Sequence, residues 1–284
     1  PRLVYCSITG FGQDGPYAPR AGYDFLIQGL GGLMSITGRP DGEEGGGPMK
    51  VGVALTDILT GLYATNAVLA ALAWRDKSGE GQYIDMALLD VQVACLANQA
   101  GNYLATGQSP QRLGNAHPNI VPYQDFPTAD GYMILAIGND GQFARFCAAA
   151  GAPQLASDER FATNRARVVN RATLIPLLKK LTVERSTADW IARLEALAVP
   201  CGPINTLADV FADPQVQARG LKVTMPHPVA GQVPLVASPM KLSATPVDYR
   251  LPPPMLGEHT DEILAATLGL DAAAIARLRA DGVV

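Results

Sequence analysis

Hydrophobic positions along the chain fall into blocks that switch between two periods. A short apolar, β-branched run at 3–8 reads as a buried strand, and it ends in Thr9-Gly10-Phe11-Gly12-Gln13-Asp14-Gly15-Pro16, a glycine and proline loop. Residues 24–36 place Phe25, Leu26, Ile27, Leu30, Leu33 and Met34 at helical spacing, softened by Gly29, Gly31 and Gly32, which imply packing against another backbone. Residues 57–74 are almost wholly apolar and end in the charged stop Arg75-Asp76-Lys77-Ser78-Gly79, as a buried core helix does. A strand follows at 83–88, and a small-residue helical pattern sets in after Asp90. Helix, strand and helix in alternation predict an α/β layer.

From 106 to 127 the pattern dissolves: Gly107, Pro110, Gly114, Pro118, Pro122 and Pro127 break regular structure, and a domain boundary is placed there. Periodicity returns with a strand at 131–138 and amphipathic helices at 142–150, 171–181 and 187–197, the last entered through Ser186 and Thr187 as caps. A turn and strand at 199–204, short helices at 207–211 and 214–219, strand-like alternation over 221–241 and two terminal helices at 260–268 and 271–280 complete the chain. The charges at 158–161 and 164–167 read as solvated faces, and the glycine run at 38–48 as a flexible surface excursion. This divides the chain into 1–105, the linker 106–127, a small α+β domain at 128–220, and a linker with C-terminal helices at 221–284.

Composition narrows the function classes. The 284 residues carry a net charge of −4, with 17% charged and 48% hydrophobic positions, which gives no basic footprint for nucleic acid. There is no polybasic run or signal pattern, and Thr and Asn interrupt the apolar helix at 57–74, so the sequence predicts no membrane span and a location in the cytoplasm or an organelle matrix. Cys6, Cys95, Cys147 and Cys201 are isolated and read as reduced core thiols; His117, His227 and His259 lack ligand spacing, so no metal is expected. Gly10, Gly12 and Gly15 open no helix, because Pro16 and Pro19 follow, and a dinucleotide fingerprint is excluded.

Asp90 stands out as a lone carboxylate where the strand at 83–88 gives way to a helix. Ends of strands in open α/β sheets are where ligands bind and where a nucleophile is held clear of the core. Asp is equally a preferred N-cap, and periodicity does not separate the two readings. Spaced words do: Tyr5-Cys6-Ser7-Ile8-Thr9-Gly10-Phe11-Gly12-Gln13-Asp14-Gly15-Pro16, Ala21-Gly22-Tyr23-Asp24, Gly38-Arg39-Pro40, Val53-Ala54-Leu55-Thr56-Asp57, Gly81-Gln82-Tyr83-Ile84-Asp85 and Pro252-Pro253-Pro254-Met255-Leu256-Gly257-Glu258-His259-Thr260. In that order they resemble the family III CoA transferases (CaiB/BaiF family). Tyr103-Leu104, Arg112 and Val121-Pro122-Tyr123-Gln124 are similar to its succinyl-CoA:dicarboxylate (succinate–hydroxymethylglutarate) branch.

The resemblance implies an α/β fold with a partial Rossmann-like large domain and an inserted small domain, an interlocked homodimer, and acyl-CoA with small carboxylic acids as substrates without a resident cofactor. It aligns Asp90 with the nucleophile, with backbone amides at the start of the following helix as oxyanion donors, and Arg20, Ala21, Gly22 and Tyr23 with the CoA channel. His117 and Asn119 fall where a glycine-rich flap closes over the site in formyl-CoA transferase, and are expected to meet the substrate's distal carboxylate. Relatives carry a further segment ahead of the position of Pro1, so an inactive fragment, or a subunit completed by a separate polypeptide, is an alternative. Another is an α-methylacyl-CoA racemase of the same superfamily. Its acid matches Asp85, but Tyr23 fills the position of its histidine, and a phenol does not exchange protons near neutrality as imidazole does.

Overall fold

A computed structural model describes residues 1–284, which form two compact units, Pro1–Ile204 and Asn205–Val284. The first unit opens with β1 (Tyr5–Thr9), followed by α1 (Asp24–Leu30), α2 (Leu33–Ile36), α3 (Leu55–Ser78), β2 (Tyr83–Ala87), α4 (Leu88–Ala94) and α5 (Ala97–Thr106). β1 and β2 pair in parallel with Tyr5 opposite Tyr83 and Thr9 opposite Ala87. The crossover between them runs through three helices, as parallel pairing demands. Both strands therefore end on one edge, from which the loop after β1 and the first turn of α4 emerge.

The helix expected over 24–36 is two helices. Gly32, at φ +85°, takes a left-handed conformation at the N-cap of α2, and a Cβ at Gly31 would lie 2.4 Å from Cγ of Gln92. The chain turns there because only glycine lets it approach α4 so closely. The expected burial of the long helix is also corrected. Its buried stripe is Thr56, Thr60, Ala64 and Ala71, while Ile58, Leu62, Leu69 and Trp74 are each more than half exposed. Small side chains bring α3 close to its neighbours, and the bulky ones face outward. By length and composition α3 reaches the size of a membrane span, which the sequence reading denied it.

Also in the first unit lie β3 (Tyr123–Pro127), β4 (Tyr132–Ala136), α6 (Asp140–Ala149), α7 (Gln154–Ser157), α8 (Asn164–Val169), α9 (Arg171–Thr182), α10 (Thr187–Ala196) and β5 (Cys201–Pro203). The three strands form an antiparallel sheet in the order β3-β4-β5, so a strand occupies the end of the stretch read as a linker. Phe126, Met133, Leu135, Phe143, Phe146, Phe161, Leu174, Trp190 and Leu194 pack into a core with essentially no exposure. Ser186 caps α10 as expected, its side chain accepting the Asp189 N–H. Arg167 departs from the expected solvated face. It is completely buried, with its guanidinium 4.4 Å from the Phe143 ring centroid and an ion pair of 2.8 Å to Asp140. The 38–48 loop is pinned at its base: Gly47 N–H donates to the Arg39 carbonyl, and Arg112 pairs with Asp41.

The second unit contains α11 (Leu207–Ala212), α12 (Pro214–Ala218), the antiparallel hairpin β6 (Lys222–His227) and β7 (Gly231–Val236), and α13 (Thr260–Leu268) and α14 (Ala272–Ala280). Thr206 and Asp209 form a reciprocal capping box at the start of α11.

Candidate active site

Two anchors fix the first turn of α4. The Leu89 N–H donates to the Gly10 carbonyl over 3.1 Å, tying the turn to the loop after β1. Gln92, fully buried, accepts the Thr56 hydroxyl over 2.7 Å, tying the same helix to α3. Leu88 packs with Phe11 and Ile27 in a small core. With Leu88, Val91 and Gln92 turned inward, helical geometry turns Asp90 outward, and it is exposed.

The capping reading of Asp90 does not hold. α4 begins at Leu88, Ala87 is its N-cap, and no side chain caps it. Asp90 instead occupies the third helical position, where the positive end of the helix dipole stabilises a carboxylate. The expected oxyanion donors move with the helix start. Amides after Asp90 lie inside the hydrogen-bonded helix; Leu88, Leu89 and Asp90 carry the amides without intrahelical partners, and Leu89 has spent its own on Gly10.

The loop after β1 is folded tightly on itself. Its Gly12 N–H donates to Thr9 Oγ1 over 2.9 Å, and its Gln13 N–H to Asp85 Oδ2 over 2.9 Å. Asp85 thus serves as a strand carboxylate that fixes a loop. Arg20 stacks over the rings of Tyr17 and Phe11, at 4.4 and 5.1 Å from their centroids, and is exposed. Gly22 lies against Gly10 and Ala21 is exposed beside it; Tyr23, 79% exposed, is the N-cap of α1. Next to it Asp24 reaches across to α3, accepting the Thr56 N–H over 2.9 Å and the Gln28 amide over 2.7 Å.

His117 and Asn119 stand together on the segment before β3. The Asn119 N–H donates to His117 Nδ1 over 3.0 Å, and the ring packs 5.4 Å from that of Tyr123. Burial, with the Arg171 cation second, holds the imidazole below its ordinary pKa. A neutral ring that accepts at Nδ1 carries its proton on Nε2, which is left as a donor. Asn119 is more committed: its Oδ1 accepts from the Asn98 and Asn102 amides of α5 at 3.3 and 3.2 Å. Between α2, α4 and α5 lies an apolar cavity of ≈ 360 Å³ lined by Val93, Leu96, Gln99 and Tyr103 among others. Val93 stands one turn beyond Asp90 on its exposed side.

The sequence profile of CoA-transferase family III matches residues 1–260. Over 265 residues the chain is 54% identical to a protein of Agrobacterium fabrum named succinate–glutarate CoA-transferase, covering 93% of this chain and 65% of that one. It is 44% identical over 284 residues to a Homo sapiens protein named succinyl-CoA:glutarate CoA-transferase, covering 100% of this chain and 64% of that one. The chain thus spans somewhat under two thirds of the length of these curated relatives. A crystal structure of a CaiB/BaiF family protein from Brucella suis superposes with a TM-score of 0.78 at 53% identity, covering 94% of this chain and 68% of that one.

Proposed function

The chain belongs to CoA-transferase family III, and from that premise we propose that the protein moves CoA from succinyl-CoA, or a similar acyl-CoA, to a dicarboxylic acid of about glutarate size. The observation that carries this reading is Asp90, an exposed carboxylate on an anchored first helical turn at the end of a parallel strand pair. The names of the relatives support the acid class.

The chemistry needs a group that conserves the thioester's reactivity. Asp90 attacks the acyl-CoA carbonyl, expelling CoA thiolate and leaving an acyl-aspartyl anhydride. Thiolate attacks the aspartyl carbonyl of that anhydride, so the first acid leaves and an aspartyl-CoA thioester remains. The acceptor carboxylate attacks this thioester and releases thiolate again, forming a second anhydride. Attack of thiolate on the acceptor's acyl carbonyl then releases the new acyl-CoA and restores Asp90. Arg20, with Ala21, Gly22 and Tyr23, is the candidate lining for CoA, its guanidinium positioned for a phosphate. His117 Nε2–H is the candidate donor to the acid's distal carboxylate, with Asn119 holding its ring. A homodimer is part of the same proposal.

The racemase reading has less support, because Asp85 is engaged by the loop after β1 and Tyr23 takes the place of the imidazole it would need. The test is a mass-spectrometric exchange assay with succinyl-CoA and a panel of acids, run on the full-length protein and on Asp90→Ala. New acyl-CoA species that vanish in the variant are expected. Deuterium entering beside the thioester of a 2-methylacyl-CoA, without exchange, would overturn transfer in favour of racemisation. Exchange by the full-length protein but not by the 284-residue chain alone would favour the fragment alternative for this piece.

A further inference from the structure

The segment carrying His117 and Asn119 is held from one side by three residues spaced three and four apart. Arg171 donates through Nη2 to the carbonyls of His117 and Pro118, at 2.6 and 2.9 Å. Asn164 donates to the Asn119 carbonyl over 2.9 Å and accepts the Val121 N–H over 3.1 Å. Arg167 donates from Nε to the Val121 carbonyl over 2.6 Å. Backbone groups from 117 through 121 are thereby tied to α8 and α9, whose inner residues Leu174 and Leu178 belong to the main core.

Arg171 is the unusual member. Arg167 has Asp140 as a counter-charge, whereas Arg171 pairs with no carboxylate and burial pulls its pKa down. Its Nη2 is spent on two neutral carbonyls that converge on that one nitrogen, and these replace part of the hydration the partly desolvated guanidinium has lost. That convergence ties the Arg171 side chain to the backbone positions of both His117 and Pro118. The arrangement also presents His117 Nδ1 to Asn119, which sets the tautomer and leaves Nε2–H as the donor.

We propose that Arg171, supported by Asn164, is a positioning residue that presets the His117 segment as a rigid wall of the acid-binding side of the site. This rests on the transferase reading for its consequence in catalysis, but the rigidity of the wall is independent of it. Where formyl-CoA transferase has a glycine-rich flap, this chain then has a fixed segment, and selection of the acid comes from a preset donor.

The experiment uses the full-length protein with Arg171→Met, Arg171→Lys and Asn164→Ala. Hydrogen–deuterium exchange of peptides covering 114–123 is read beside the KM for acyl-CoA and for the acceptor acid. Arg171→Met is expected to raise exchange in that segment, and the KM for the acid, by about tenfold each, with the KM for acyl-CoA within about twofold of the parent. Arg171→Lys should recover part of both effects, since one carbonyl remains within reach of an ammonium. Unchanged exchange in Arg171→Met, or an equal rise in both KM values, would overturn the proposal. If Arg171→Met does not fold, Asn164→Ala and Arg171→Lys decide it by the same two readings. A parent enzyme that transfers no CoA removes the transferase reading, and the exchange data still judge the wall.

Discussion

Gly10 and Gly22 touch backbone to backbone: a Cβ on Gly10 would lie 2.6 Å from the Gly22 Cα, and one on Gly22 would lie 2.7 Å from the Gly10 Cα. Twelve positions apart in sequence, they close the loop after β1 at the point where the Gly10 carbonyl accepts the Leu89 N–H. Any side chain there pushes backbone against backbone, one residue from Asp90. Gly22→Ala is expected to destabilise the protein by about 1–3 kcal/mol, the usual cost of overpacking. Thermal melting checks the loss. Transfer activity measured well below the melting transition should fall further than stability alone explains, because the displaced strand-end loop carries α4 with it.

The Thr56–Gln92 pair makes a second expectation. Both residues are buried and joined at 2.7 Å, so removing either partner strands the other. Thr56→Val or Gln92→Leu should each cost about 1–3 kcal/mol, and the double variant less than the sum, because no orphaned group remains. Urea denaturation of the four members of the cycle measures the coupling. A strictly additive double variant would show that the bond contributes nothing beyond packing.

A third concerns acid stability. Burial, with Arg171, holds the folded-state pKa of His117 below its ordinary 6.5. Below that value the unfolded chain binds a proton that the folded state resists, so this residue's contribution is fully present above 6.5 and is lost as pH falls toward the folded pKa. His117→Gln should flatten the dependence of the urea midpoint on pH between about 5 and 7. An unchanged slope would refute it.

Arg20 stacks on Tyr17 and Phe11 without an acidic partner. Arg20→Ala is expected to raise the KM for acyl-CoA by about tenfold, as loss of one charge-assisted phosphate contact does, and to leave the KM for the acid nearly unchanged. Folding should suffer by no more than about 1 kcal/mol. Steady-state kinetics with each substrate varied in turn makes the separation, and equal effects on both would place Arg20 elsewhere in the reaction.

What the sequence disclosed depended on the range of the interaction. The change of period around Asp90 is local, and it located the strand-to-helix junction within two residues of the observed start of α4. Ser186 was readable as a cap for the same reason. The buried face of α3 was hidden because large apolar residues outweigh Thr and Ala in any hydrophobicity pattern, whereas close packing against β1, β2, α1 and α4 selected the small ones. Arg167 reads with its neighbours at 164–167 as a solvated face and Arg171 only as the start of an amphipathic helix, since the backbone groups that Asn164, Arg167 and Arg171 bind before β3 lie 43–54 positions away and leave no trace in a sequence.

Arg167 sits in the dry interior with its acceptors drawn from three places: Asp140 at the start of α6, the Phe161 carbonyl, and the Val121 carbonyl before β3. A charge so enclosed is tolerable only while all three are in place, because each one lost leaves an ion facing hydrocarbon. The chain at Val121 therefore has no half-ordered state of low energy. As temperature rises it should hold its position until the Phe143 and Phe146 core melts, and then give way with that core in a single cooperative step.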